Sequence, residues 1–274
     1  MKNLVISGGT DGMGKAIALT YLRRGDRVTI VGRDPRKGEA ILAQAREIGA
    51  GERVHFLRAD LSLVAENRKT IDEIAVTLPA VDALVLCARY FRSTRWETAD
   101  GFEGTFALEY LSRFLLSHGL RTLLEKADAP VIVNVSGPGM AKGEIRWDDF
   151  GFQHGYHGAA AQLHAGVAND LLGVAFAATY PATRTRYVLV HPGGVATSFS
   201  GEYDAESARH VAQLQQTGRP VAEGIVPIVA RIDSPPAAPV SAFVRSQQIN
   251  LAAPDFDERS AMRLRDLTQR LLGE

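Results

Sequence analysis

The chain has 274 residues and a mass of 29.6 kDa, room for one large α/β domain or two small ones at about 100 to 200 residues each. Apolar residues make up 46% and charged residues 23%; no apolar run approaches the ~18 residues that cross a bilayer, so a membrane class is excluded and the core can be large. Lys plus Arg (31) balance Asp plus Glu (31), which leaves no global positive field for a polyanion and speaks against nucleic acid as a partner. The single cysteine, Cys87, forbids an intrachain disulfide and a cysteine zinc cluster. Leu4-Val5-Ile6, directly after Met1-Lys2, is too short for an export signal, and the expectation is a cytoplasmic protein.

In chain order, short β-branched runs recur at Leu4 to Ile6, Val28 to Val31, Val54 to Leu57, Ala83 to Cys87, Val131 to Val135, Tyr187 to His191 and Ser241 to Val244. They predict seven buried strands. Between them lie helical periodicities such as Met13, Ile17 and Tyr21, or Ile71, Ile74 and Leu78. This alternation implies right-handed crossovers and a parallel sheet covered on both faces, an α/β, doubly wound, Rossmann-type domain over residues 1–274. Pro227 is expected to kink or end the helix in Ala222 to Ile232, Ser234 to Val240 reads as a loop, and Asp255 to Leu272 as a terminal amphipathic helix.

Strand one runs directly into Ser7-Gly8-Gly9-Thr10-Asp11-Gly12-Met13-Gly14 and then a helix, the context in which a glycine fingerprint carries meaning. Gly8 permits the tight turn, Gly12 lets the backbone approach a pyrophosphate, Gly14 lets helix and strand pack, and the helix N-terminus offers N–H groups to the anion. Thr10, Asp11 and Met13 belong to the same loop. After strand two comes Val31-Gly32-Arg33, with Lys37 one turn further on. A ribose 2′-phosphate wants such cations, which favours NADP(H) over NAD(H). Asp34 is the dissenting residue: turned inward in place of Arg33, it would accept from a free 2′-hydroxyl. A solvated surface role for Arg33, and a glycine loop without function, are the alternatives.

Here the sequence resembles the short-chain dehydrogenase/reductase family, whose fingerprint is Thr-Gly-x-x-x-Gly-x-Gly; only Ser7 differs. Gly32-Arg33-Asp34-Pro35 with Lys37-Gly38-Glu39-Ala40 is similar to the NADP-type stretch of its retinol dehydrogenase-like branch. Asp100-Gly101-Phe102-Glu103, Val133-Asn134-Val135-Ser136 and His191-Pro192-Gly193 with Thr197 follow in family order. The resemblance implies that Asp60 and Leu61 contact adenine, that Cys87 and Ala88 line the cofactor after strand four, and that Pro192, Gly193 and Thr197 lie against the nicotinamide. A substrate lid is expected over 194–240, and a homodimer or homotetramer is left open.

The family's chemistry uses a tyrosine with a lysine four residues later, plus a serine and an asparagine. No tyrosine of this chain is followed by lysine at that spacing. Alignment of Val167-Ala168-Asn169-Asp170-Leu171-Leu172 with the branch's Leu-Ala-Asn-x-Leu-Leu puts Gln162 at the tyrosine position and Gly166 at the lysine. Tyr156 supports this register, since similar proteins carry a second tyrosine six residues earlier. Gly137 stands at the serine position, leaving Ser136 one residue early, and Glu109 stands at the asparagine position. Arg89 replaces a glycine beside the nicotinamide ribose.

Gln162 can donate a hydrogen bond but no proton; it either polarises a carbonyl or fills the vacated space. His154 and His157, in a Gly-rich loop, are the alternative proton sources, because histidine titrates near neutral pH. His164 falls on about the opposite helix face and reads as packing or surface. Arg89, Ser136 and Tyr156 are assigned to the substrate side; Arg89 could instead turn outward or pair with Glu109. No metal site is expected. The function implied is an NADPH-dependent reductase of a ketone or enone on a small molecule, of polycyclic or polyketide type, with proton delivery by solvent, histidine or the substrate. Its alternatives are a non-redox enzyme that keeps the nucleotide as scaffold, and a nucleotide sensor without turnover.

Overall fold

A computed structural model describes residues 1–139 and 145–273. The chain alternates β1 (Asn3–Ser7), α1 (Gly12–Arg23), β2 (Arg27–Gly32), α2 (Pro35–Glu47), β3 (Val54–Arg58), α3 (Val64–Thr77) and β4 (Ala83–Leu86). A two-residue strand β5 (Phe91–Arg92) precedes a long helix α4 over 104–119, then β6 (Val131–Val135), α5 (Gly158–Thr179) and β7 (Arg186–His191). After β7 come β8 (Gly201–Glu202), α6 (Ala205–Thr217), α7 (Val221–Gly224), α8 (Val226–Asp233), β9 (Val240–Val244), β10 (Gln247–Gln248) and α9 (Glu258–Leu271).

The main sheet has the order β10-β9-β7-β6-β4-β1-β2-β3. All seven expected strands are in it and pair in parallel. The sheet differs from expectation by an eighth strand: β10 returns antiparallel on β9 through Arg245, whose φ is +57°. Gln247 and Gln248 have no apolar run to announce them. Side chains alternate between two layers, with Leu4 and Ile6 on the side of α1, α2 and α8, and Val5 on the side of α3, α4, α5 and α9. Pro227 lies in the first turn of α8, where its missing N–H costs nothing, and the helix over 221–233 is broken at Ile225. Because β1 lies between β4 and β2, the chain changes direction across the sheet there, and a crevice opens at the strands' carboxyl ends.

Helix α4 is not uniform. Residues Ala107–Leu111 form a π-turn between two α-helical stretches, closed by Ser112 N–H donating to Ala107 C=O. All five residues are buried.

Helix α2 rests on β3 through Gly38, where an added Cβ would lie 2.2 Å from the Phe56 ring. Alanine favours a helix over glycine by about 1 kcal/mol, whereas overpacking costs about 1 to 3 kcal/mol. At that separation the clash prevails. Gly38→Ala is therefore expected to lower the urea midpoint, and an unchanged midpoint would show that Phe56 swings aside freely.

Candidate functional site

At the crevice lies a cavity of about 430 Å³, in the range of small-molecule and cofactor sites. Gly8, Thr10, Asp11, Gly12, Met13 and Gly14 form its floor; Arg33, Asp60 and Leu61 line one end. Cys87, Ala88 and Arg89 follow from β4, and Thr197 covers it from the segment after β7. Pro192 and Gly193 do not line it. Pro192 C=O accepts from the Arg219 guanidinium, and Gly193 turns with φ +87°.

The glycine requirements are local and physical. Gly8 has φ +70°, and a Cβ there would lie 2.7 Å from Ala88 backbone; at Gly14 it would lie 2.3 Å from Gly8 C=O. Asp11 caps α1 by accepting from Gly12 N–H at 2.7 Å, and the first-turn amides beyond it have no carbonyl of their own helix to bond. Burial opposes ionisation of Asp11, yet Lys37 and Ser198, both bonded to its carboxylate, hold it below its usual range. Asp34 is engaged elsewhere: its carboxylate caps α2, accepting from Arg36 N–H at 2.8 Å and Lys37 N–H at 3.3 Å. Asp60 accepts from Ser62 through backbone and hydroxyl. Burial pushes the Cys87 thiol up to about 12, so it stays protonated and is no nucleophile.

Arg89, Gln162 and Glu109 form one bonded group, from which Gly137 stands apart. Arg89 Nη2 donates to Gln162 Oε1 at 2.7 Å, and Gln162 Nε2 donates to Glu109 Oε1 at 3.3 Å. Arg89 Nε lies 3.8 Å from the same Glu109 oxygen. Arg89 thus pairs with Glu109 and still lines the cavity. Ser136 does not line the cavity: its N–H continues the ladder to β7 by donating to Val190 C=O, and its hydroxyl donates to Asn134 C=O at 3.5 Å. The would-be Cβ of Gly137 has nothing within 4 Å, so the space of a serine side chain stays open.

Burial pushes the Glu109 carboxyl up, and Arg89, Arg113 and Gln162 pull it back. Arg89 is half-exposed, so water screens it and its pairing contributes about 1 kcal/mol or less. Arg113, one turn along α4 and 3% exposed, is the buried counter-charge. Its guanidinium donates to Asn134 Oδ1, Val135 C=O and Ala88 C=O. Asn134 continues to Asn169 Oδ1 at 2.9 Å and Tyr187 hydroxyl at 3.0 Å, and Asn169 donates to Glu109 C=O at 2.8 Å. Placing Asn169 on that carbonyl ties the π-turn to α5.

His154 and His157 do not reach the cavity. The His154 side chain is 92% exposed, 3.8 Å from Asp149; His157 is exposed at the start of α5. Tyr156 hydroxyl lies 3.3 Å from Arg92 C=O and 3.4 Å from Glu103, beside the cavity and not in it. His164 is packed among Phe106, Phe150 and Phe152.

Sequence reasoning, which expected a lid over 194–240, missed the segment after β4 that pairs with it over the cavity. Strand β5 pairs in parallel with β8, Phe91 stacks on Tyr203 at 5.1 Å, and Arg92 pairs with Glu202 at 2.6 Å. The signal available was an aromatic beside a charge in both Tyr90-Phe91-Arg92 and Gly201-Glu202-Tyr203.

Fold and crevice together define a Rossmann-type nucleotide-binding protein. The family model for short chain dehydrogenase matches residues 2–150, more than half of the chain, and the chain belongs to that family. Mouse retinol dehydrogenase 12 is 31% identical over 199 residues, covering 73% of this chain and 63% of that protein. A provisionally named daunorubicin C-13 ketoreductase, DnrU, of Streptomyces sp. strain C5 is 30% identical over 197 residues, covering 72% of this chain and 67% of that protein. The chain thus spans about two thirds of the length of these curated relatives. Among solved structures, a Mycobacterium paratuberculosis protein of uncharacterised function superposes with TM-score 0.78 at 22% identity, covering 99% of this chain and 93% of that one. A provisionally assigned short chain dehydrogenase of Shigella flexneri, complexed with NADP, gives 0.67 at 19% identity, covering 90% and 97%.

Asp170, on the helix that carries Gln162, holds the loop after β6 by accepting from Gly139 N–H at 2.9 Å. Burial pushes its carboxyl up to about 8. A folded-state value above the unfolded one means that stability is full below about pH 4 and is lost as pH rises toward 8. His118 and His164, pushed by burial to about 4, act oppositely between pH 4 and 6.5. The wild-type profile is their sum, so the difference is diagnostic: Asp170→Asn is expected to remove the decline between pH 4 and 8 in urea midpoints. Parallel profiles for the two proteins would refute the assignment.

Proposed function

We propose that the protein is an NADPH-dependent reductase of a ketone or enone on a small molecule. The observation that carries the cofactor half is the fate of Asp34: its carboxylate is spent on capping α2, which leaves Arg33 as the cation at that end of the cavity to meet a 2′-phosphate, with Lys37, paired to Asp11, adding to the positive field there. The glycine cradle and the α1 N-terminus suit the pyrophosphate, and structural relatives solved with NADP and NADPH support the choice. The ketoreductase name of one relative supports the substrate half.

When bound, NADPH supplies hydride to the carbonyl carbon. This chain's residues have to stabilise the oxygen, and Arg89 is the cation available at the cavity wall, oriented by Gln162 and counter-charged by Glu109. Neither Gln162 nor Arg89 is an acid of suitable strength. The proton comes from the substrate, a phenol beside the carbonyl being the simplest source, with the product alkoxide as its acceptor. A polycyclic aromatic ketone of polyketide type meets this requirement.

NADPH is expected to bind more tightly than NADH, and Arg33→Ala to lose about 10- to 150-fold in NADPH affinity, the worth of a charge-assisted hydrogen bond. Equal wild-type dissociation constants for the two nucleotides would remove the cofactor assignment. Gln162→Ala should lower turnover by about 10- to 1,000-fold with NADPH binding almost unchanged. Masking the neighbouring phenol as a methyl ether should stop reduction, followed as NADPH absorbance. Full activity on the ether would move proton delivery to water, and product of unchanged oxidation level would replace reduction by non-redox chemistry.

A further inference from the structure

Arg33 does not project freely from the cavity rim. Its guanidinium carbon lies 4.1 Å from the centroid of the Tyr90 ring, and both residues line the cavity. Arg33 follows β2 and Tyr90 follows β4, with β1 between them in the sheet. The stack therefore spans the strand from which the glycine loop rises. Among the described residues no carboxylate pairs with Arg33, while Lys37 is paired with Asp11. The guanidinium edge is thus left for a ligand, and its plane is held by a ring.

The ring itself is held. Tyr90 hydroxyl donates to Glu202 Oε1 at 3.3 Å, and the same oxygen receives Arg92 Nη2 at 2.6 Å. Glu202 belongs to β8, which pairs with β5 immediately after Tyr90. An unrestrained arginine loses much rotamer freedom when it clamps a phosphate, and a stacked one has already lost part of it.

We infer that Tyr90 is a positioning residue for cofactor selection, holding Arg33 where it can grip the 2′-phosphate and tying that grip to the segment covering the cavity. The inference rests on the NADP(H) reading proposed above. Its test is the ratio of NADH to NADPH dissociation constants, measured calorimetrically on the wild type, Tyr90→Ala and Tyr90→Phe, with melting temperatures to verify folding. Tyr90→Ala is expected to reduce the ratio by about two- to five-fold, the worth of a cation–π contact at an accessible site. Tyr90→Phe keeps the ring and should keep most of the ratio. In an Arg33→Ala background, Tyr90→Ala should leave the ratio as it is, because nothing remains to be positioned. A wild-type ratio near one overturns the NADP(H) reading and this inference together. A high wild-type ratio that Tyr90→Ala leaves unchanged or raises overturns the inference alone, as does a Tyr90→Phe variant no better than Tyr90→Ala.

Discussion

A carboxylate buried behind the wall of a cleft has to be neutralised by something, and Glu109 organises its surroundings around that need. It is 7% exposed, and desolvation there raises the pKa of its carboxyl. Arg113 from below and Arg89 from the cavity side supply opposite charge, and Gln162 donates to it between them. Removing one member of a buried ionic set leaves the rest uncompensated. These departures from the family pattern are thus not all independent losses. Arg89, Glu109 and Gln162 form one chemically coupled set, and Gly137 leaves open space where a serine side chain would stand.

The π-turn of α4 belongs to the same constraint. An extra residue in a helical turn releases backbone groups that a regular helix would pair. Glu109 C=O is satisfied by Asn169, whose other end meets Asn134, which in turn receives Arg113. One run of side chains therefore fixes α4, α5 and β6 relative to each other directly behind the cavity. A network of this kind rigidifies as its members are satisfied; of the Arg113 guanidinium only Nε is left without a hydrogen-bond partner among the described residues.

What could be read from the sequence follows from how local each requirement is. Gly8 and Gly14 are specified by contacts within one turn and with a neighbouring strand, so the loop that cradles a nucleotide was legible. The seven parallel strands were legible because each is a short, mainly apolar run, buried on both faces in β1, β4 and β6. Gln247 and Gln248, polar and exposed, form a strand only because β9 offers an edge. Side-chain direction is set by the assembled fold, and so the engagement of Asp34 with α2 and the bonding of Arg89 to Gln162 could be weighed but not chosen. His154 and His157 illustrate the converse: near the cleft in chain order, they lie outside it because the loop turns their rings to solvent.

The β5–β8 pair joins segments 110 residues apart, as the Arg92–Glu202 contact does. Two-residue strands contribute too little to close such a loop of chain on their own, since the entropy of closure precedes any reward from the contact. Only after β4, β6 and β7 have aligned are the two segments brought within reach. During folding the roof of the cavity is therefore a late event, governed by the topology of the sheet beneath it and not by its own local preferences. By the same reasoning its opening does not require the sheet beneath it to unfold.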